Sequence, residues 1–174
     1  MSERLFGIRI SKDLVTQSLP LVKEQAMRFL SRPLTEEYWA LYIDGTNFHV
    51  QRRGSTEREP SLVVLGINTH NNLSILAIEP GSKENVESWR VVFDLLIKRG
   101  LNPQLIKLGI MDGLPGLEKA FKETFYQAMT QRCWVHAKRN AMAQTPSRLR
   151  EPFEQYVRKV MYASSSEEAR VAFR

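Results

Sequence analysis

Cysteine is nearly absent: Cys133 is the only one in 174 residues, which excludes an intrachain disulfide framework and fits a reducing compartment. Histidine is almost as scarce, with His49, His70 and His136 alone. A structural zinc site normally takes four ligands, and one cysteine with scattered histidines does not supply such a set. No apolar run approaches the roughly 20 residues that cross a bilayer. Met1 to Ile10 also lacks the basic stretch and apolar run of a secretory leader. Internal repeats and low-complexity tracts are missing too. These absences lead us to expect a soluble, cytoplasmic protein with no membrane partner.

What is present is enough apolar material for a core, 43% of residues, and a basic excess, +6 formally with a pI near 9.6. The excess is uneven. Residues 1–130 carry 16 basic and 15 acidic side chains, whereas 131–174 carry 9 and 4. A basic region favours a polyanion such as nucleic acid through counterion release; solvated helix faces account for the same charges equally well.

The pattern along the chain predicts two short helices first, Ser11 to Ser18 and Leu21 to Leu30, with Pro20 opening the second. Their apolar residues form no clean stripe, so this piece needs a neighbour. Strand patterns follow: Tyr38 to Asp44 continuing through Phe48 and Val50, then Leu62 to Ile67, then Leu73 to Ile78. Turn residues at Arg52-Arg53-Gly54-Ser55 and His70-Asn71-Asn72 predict an antiparallel meander, buried on both faces. A helix capped by Ser82 comes next, with Glu84 and Glu87 in its first turn and Trp89, Phe93 and Leu96 on its sheet side. Leu105 to Met111 reads as a strand reached by a right-handed crossover and therefore parallel to its neighbour. Leu117 to Phe125 reads as a helix, Gln131 to Val135 as a fifth strand, and Ala137 onward as helical, with a break near Ala163 to Ser166. The fold class is α/β, a mixed sheet in the order β-β-β-α-β-α-β, which is the ribonuclease-H-like succession.

Two carboxylates stand out. Asp44 lies in a strand with Tyr42, Ile43, Phe48 and Val50, where an ionised side chain is expensive unless paired or bound to metal. Asp112 ends the fourth strand and precedes Gly113, the strand-to-loop position where α/β proteins place their chemistry; Asp-Gly is also a common turn pair. With the first strand central and the fourth beside it, both aspartates would converge on one cation pair. Magnesium prefers hard oxygen ligands, and two such ions support phosphoryl transfer.

The residues also resemble a known family, the Mutator-type transposases of bacterial insertion sequences, within the group that uses an Asp, Asp, Glu triad. The matching stretches are Ser31-Arg32-Pro33-Leu34, Tyr42-Ile43-Asp44-Gly45-Thr46 with Val50, Val64-Leu65-Gly66-Ile67, Glu87-Ser88-Trp89, Arg99-Gly100-Leu101, Met111-Asp112-Gly113 with Gly116-Leu117, and Gln131-Arg132-Cys133-Trp134-Val135-His136 with Arg139-Asn140. Each is short; their order and spacing from about 31 to 140 make the resemblance specific.

The resemblance implies metal-dependent cleavage of DNA at the element ends and strand transfer to target DNA, with Mg²⁺ or Mn²⁺ as cofactor. Asp44 and Asp112 would be the first two catalytic, metal-binding carboxylates, and Cys133 with His136 the family's Cys-x-x-His signature near the site. It divides the chain into a remnant of an N-terminal helical DNA-binding region (1–34), an incomplete catalytic core (35–140) and the start of a helical insertion (141–174). The family's glutamate follows that insertion, and none of Glu118, Glu123, Glu151, Glu154, Glu167 or Glu168 takes its place. Little or no catalysis is therefore expected of this chain alone. Leu114 also departs from the family pattern, which often has histidine there.

Arg52, Arg53 and Arg58, with Lys138 and Arg139, are candidates for phosphate contact. Trp39, Trp89 and Trp134 are expected in the core rather than stacked on bases. The expected partners are DNA, a second copy of the chain or a full-length transposase. Two other readings stay open: a non-catalytic DNA-binding fragment that interferes with an intact transposase, and a different ribonuclease-H-like nuclease.

Overall fold

A β-branched and aromatic run from residue 38 onward favours extended backbone, and the chain pairs it on both sides. The computed structural model describes residues 12–52, 54–80 and 84–173. Among these residues the protein has six α-helices and a five-stranded mixed sheet. The elements in chain order are α1 (Lys12–Ser31), β1 (Tyr38–Arg52), β2 (Ser55–Asn68), β3 (Leu73–Pro80), α2 (Val86–Lys98), β4 (Leu108–Met111), α3 (Pro115–Thr124), β5 (Met129–Arg132), α4 (Trp134–Gln144), α5 (Arg150–Met161) and α6 (Ser166–Phe173).

The sheet order is β3-β2-β1-β4-β5, so β1 is central. It pairs antiparallel with β2 and parallel with β4, and β4 pairs parallel with β5. The antiparallel meander and the parallel pairing of β4 with β1 are as the pattern indicated. The second turn is held by Asn68, whose Oδ1 accepts from His70 N and Asn72 N at 3.0 and 2.8 Å, with Asn71 at a positive φ of 61°.

Burial is one-sided, which corrects the expectation of strands buried on both faces. Leu41, Ile43, Leu62, Val64, Leu76 and Met111 pack against α2 and α3, while Tyr42 and Ile75 on the sheet remain 39% exposed. Outside the span paired with β3 and β4, β1 and β2 run on as a two-stranded arm, and Phe48 is half exposed there. The core under α2 and α3 is aromatic: Phe93 meets Phe125 edge-on at 5.2 Å between centroids, and Trp89 stacks on Phe93 at 6.0 Å.

Several boundaries differ from the pattern. α1 is one helix with Pro20 inside it; Pro20 cannot donate a backbone hydrogen bond, but the helix formers Lys23 to Met27 carry the helix on. Its Leu19, Leu21, Val22 and Met27 are exposed, consistent with an element short of packing partners. The cap of α2 is Asn85, whose Oδ1 accepts from Ser88 N at 2.9 Å; Ser82 lies outside the described residues. β4 begins only at Leu108, because Asn102 to Leu105 forms a turn in which Asn102 Oδ1 accepts from Gln104 N.

The largest correction concerns the fifth strand. β5 ends at Arg132, where its partner β4 ends at Met111, and Trp134 to Gln144 is helical. Without a further strand to pair with, a segment containing Ala137, Lys138, Arg139, Ala141 and Met142 follows its helix propensity. Trp134 is consequently half exposed and outside the core, Trp39 is half-buried, and only Trp89 is fully buried.

Candidate functional site

The ends of β1's paired region and of β4 bring the two aspartates together. Tyr42 pairs with Ile110 in the parallel ladder; Asp44 lies two residues further along β1, and Asp112 directly follows the last residue of β4. Side chains alternate across a strand, so Asp44 projects from the same face as Tyr42, opposite the buried Leu41 and Ile43, and the Asp112 charge is near enough to act on it. Burial holds the Asp44 carboxyl above the ordinary aspartate range; the Asp112 charge pushes the same way, while His136 and Arg139 oppose it.

Asp44 is less enclosed than its strand neighbours suggested, with 47% of its side chain exposed. Asp112 also serves its turn, its Oδ1 accepting from Leu114 N at 3.0 Å. Gly113 follows at φ +88°, a conformation that L side chains rarely adopt.

His136 sits in the first turn of α4, and its Nε2 lies 3.6 Å from Asp44 Oδ1. Its Nδ1 is buried and has no partner among the described residues. Cys133 is the N-cap residue of α4, with its backbone N–H donating to Met111 O at 2.6 Å. The Cys-x-x-His segment is therefore a strand-to-helix corner that carries the histidine to Asp44.

Glu84 is the group that sequence reasoning misplaced. With Asn85 as the cap, Glu84 precedes the helix instead of sitting in its first turn. Its carboxylate lies over Gly45, in the space that a β-carbon there would fill. Burial raises its pKa first, and Asp112 and then Asp44 raise it further. The available signal was Gly45 itself, a residue without a side chain next to Asp44.

The expected phosphate contacts are dispersed. Arg52 closes β1, Arg53 lies outside the described residues, and Arg58 is exposed on the arm. Arg139 is exposed on α4 and acts on Asp44. Lys138 is already matched, with its Nζ 2.5 Å from Glu154 Oε1 on α5.

Among the described residues no three histidine, cysteine, aspartate or glutamate side chains are drawn tightly enough to hold an ion as they stand. The donor chemistry nevertheless suits a hard divalent cation. Asp44, Asp112 and Glu84 offer carboxylate oxygens, feel one another's charge, and form no ion pair with a described lysine or arginine.

Comparison with known proteins gives the lineage. The family described as "Transposase, Mutator family" matches residues 1–174. The transposase of insertion sequence element IS905 from Lactococcus lactis is 31% identical over 138 residues, covering 79% of this chain and 34% of that protein. The transposase of IS6120 from Mycolicibacterium smegmatis is 28% identical over 167 residues, covering 95% and 50%. That of IS256 in transposon Tn4001 from Staphylococcus aureus is 29% identical over 160 residues, covering 90% and 40%. The chain thus spans about a third to a half of the length of these relatives.

Proposed function

Because the chain belongs to the Mutator family of transposases, we propose that it carries part of the catalytic centre for DNA transposition, in a ribonuclease-H-like core of the Asp, Asp, Glu type. The observation that supports the reading is that Asp44 in β1 and Asp112, just past the end of the neighbouring strand β4, are near enough for the charge of one to act on the other. The domain division is 1–34, 35–140 and 141–174, with DNA as substrate and partner.

Asp44 and Asp112 would hold Mg²⁺ or Mn²⁺. When bound, such ions supply charge neutralisation for the attacking and leaving oxygens of phosphoryl transfer. The chain's own residues prepare the place. The β1–β4 pairing brings Asp44 and Asp112 to neighbouring strand ends, and burial with the Asp112 charge raises the Asp44 pKa while His136 and Arg139 offset part of the rise. His136 stands beside Asp44 from α4, with Nε2 3.6 Å from Oδ1, and favours its ionised form. The family's glutamate has no counterpart in this span, so cleavage and strand transfer by this chain alone should be orders of magnitude below those of a complete enzyme.

Metal binding tests the reading without requiring turnover. Titration of Mn²⁺ followed by electron paramagnetic resonance should show the free-ion signal falling as wild-type chain is added. Asp44→Asn and Asp112→Asn should each abolish most of that loss. Equal binding by wild type and both variants would contradict the assignment.

A further inference from the structure

Arg132 is the last residue of β5, level with Met111 in the parallel ladder and hence next to the turn that begins at Asp112. Its side chain crosses to that turn. A β-carbon built on Gly113 would lie 3.1 Å from Arg132 Nε and 3.5 Å from its Cζ. Arg132 Cδ, Nε and Cζ thus lie against the glycine immediately after Asp112. Cys133 N, donating to Met111 O at 2.6 Å, fixes the backbone from which it springs.

The guanidinium has no acid to neutralise it. Arg132 is exposed, and among the described residues its side chain makes no hydrogen bond or ion pair. Many other cations are committed: Lys138 to Glu154, Lys122 to Glu118, Arg90 to Glu87 and Glu123, and Arg99 to the carbonyls of Arg32 and Leu76. An arginine seated on its Nε side and without an acidic partner among the described residues is available to a phosphate oxygen. A cation seated against the turn that follows Asp112 and left without an acidic partner among the described residues suits a site that must accept a polyanion.

We propose that Arg132 binds a backbone phosphate of the DNA strand where it passes the ends of β4 and β5, and so positions that strand against Asp44 and Asp112. The inference rests on the DNA-directed reading above and adds a contact that composition did not reveal. Gly113 belongs to the same device: its lack of a side chain leaves room for Arg132 Nε and Cζ.

The test is fluorescence anisotropy of a short fluorescein-labelled DNA duplex titrated with the 174-residue chain across about 50 to 200 mM salt. Arg132→Ala should weaken binding roughly tenfold, the size of one charge-assisted contact, and reduce the log–log salt slope by about one. Arg132→Lys should keep the slope while recovering only part of the affinity, since a point charge replaces a fork. Thermal melting of each variant checks the fold, and if Arg132→Ala melts lower, Arg132→Gln takes its place. Wild-type affinity and slope in the variant would overturn the Arg132 assignment alone. Absence of salt-dependent binding by the wild-type chain would overturn this inference together with the DNA-directed reading.

Discussion

Single residues at this site trade stability against chemistry. Asp44 is held above its ordinary range by burial and by Asp112, so its ionised form is disfavoured in the folded chain. The sign follows: with the folded pKa raised, the folded state binds more protons than the unfolded one, and stability falls as pH rises through that interval. Asp44→Asn should therefore raise the metal-free melting temperature by roughly 1–3 °C at neutral pH. Scanning calorimetry at neutral and acidic pH would check this, with the difference vanishing on the acid side; a lower melting temperature at neutral pH would refute it. Two glycines give a second contrast. A β-carbon at Gly109 meets the fully buried Phe121 ring, whereas one at Gly45 meets only the movable end of Glu84. Gly109→Ala should cost roughly 1–3 kcal/mol in urea denaturation and Gly45→Ala clearly less, with Glu84 displaced from the site.

At the scale of elements, the sheet and the C-terminal helices are different kinds of structure. α2 and α3 bury Trp89, Phe93, Leu117 and Phe121, while α4, α5 and α6 contain no buried residue. The three later helices enclose an apolar groove of about 230 Å³ that Trp134, Phe153, Tyr156 and Phe173 help line, and Lys138–Glu154 ties two of them. The Lys138 hydrogen bond and charge hold the Glu154 carboxyl below the usual glutamate range. Its contribution is therefore present above the ordinary glutamate pKa and lost as pH falls through the lowered one. Glu154→Gln should speed amide exchange in α4 and α5 and leave β1 and β4 protected, a pattern that hydrogen-exchange mass spectrometry resolves. The sequence showed these elements where one period dominated, as in β2 and α2. It misled where a local signal competed with pairing: Pro20 suggested a helix start inside α1, Ser82 outbid Asn85 as a cap, and the apolar Trp134-Val135 suggested a strand that has no neighbour to pair with. Asp44 and Asp112 were legible because each is a carboxylate at the end of an apolar run. Glu84 and Arg132 were not, because their positions depend on where α2 begins and on which strand tips lie side by side.

For the whole molecule, the sheet with α2 and α3 holds the buried core, and the candidate site lies by the end of its central parallel pair. Around it are appendages with exposed apolar surface, α1 on one side of the sequence and α4 to α6 on the other. Among the described residues no helix is long and apolar enough to cross a membrane. The family is that of the transposases, and the chain spans at most half of the relatives compared, so the activity of a complete transposase is a proposal for this span. That proposal turns on whether the two aspartates take one ion between them. Crystals of the chain soaked in Mn²⁺ and measured for anomalous scattering give the most direct answer. The account expects a peak about 2.0–2.4 Å from carboxylate oxygens of both Asp44 and Asp112. Ordered aspartates with no peak between them would contradict it.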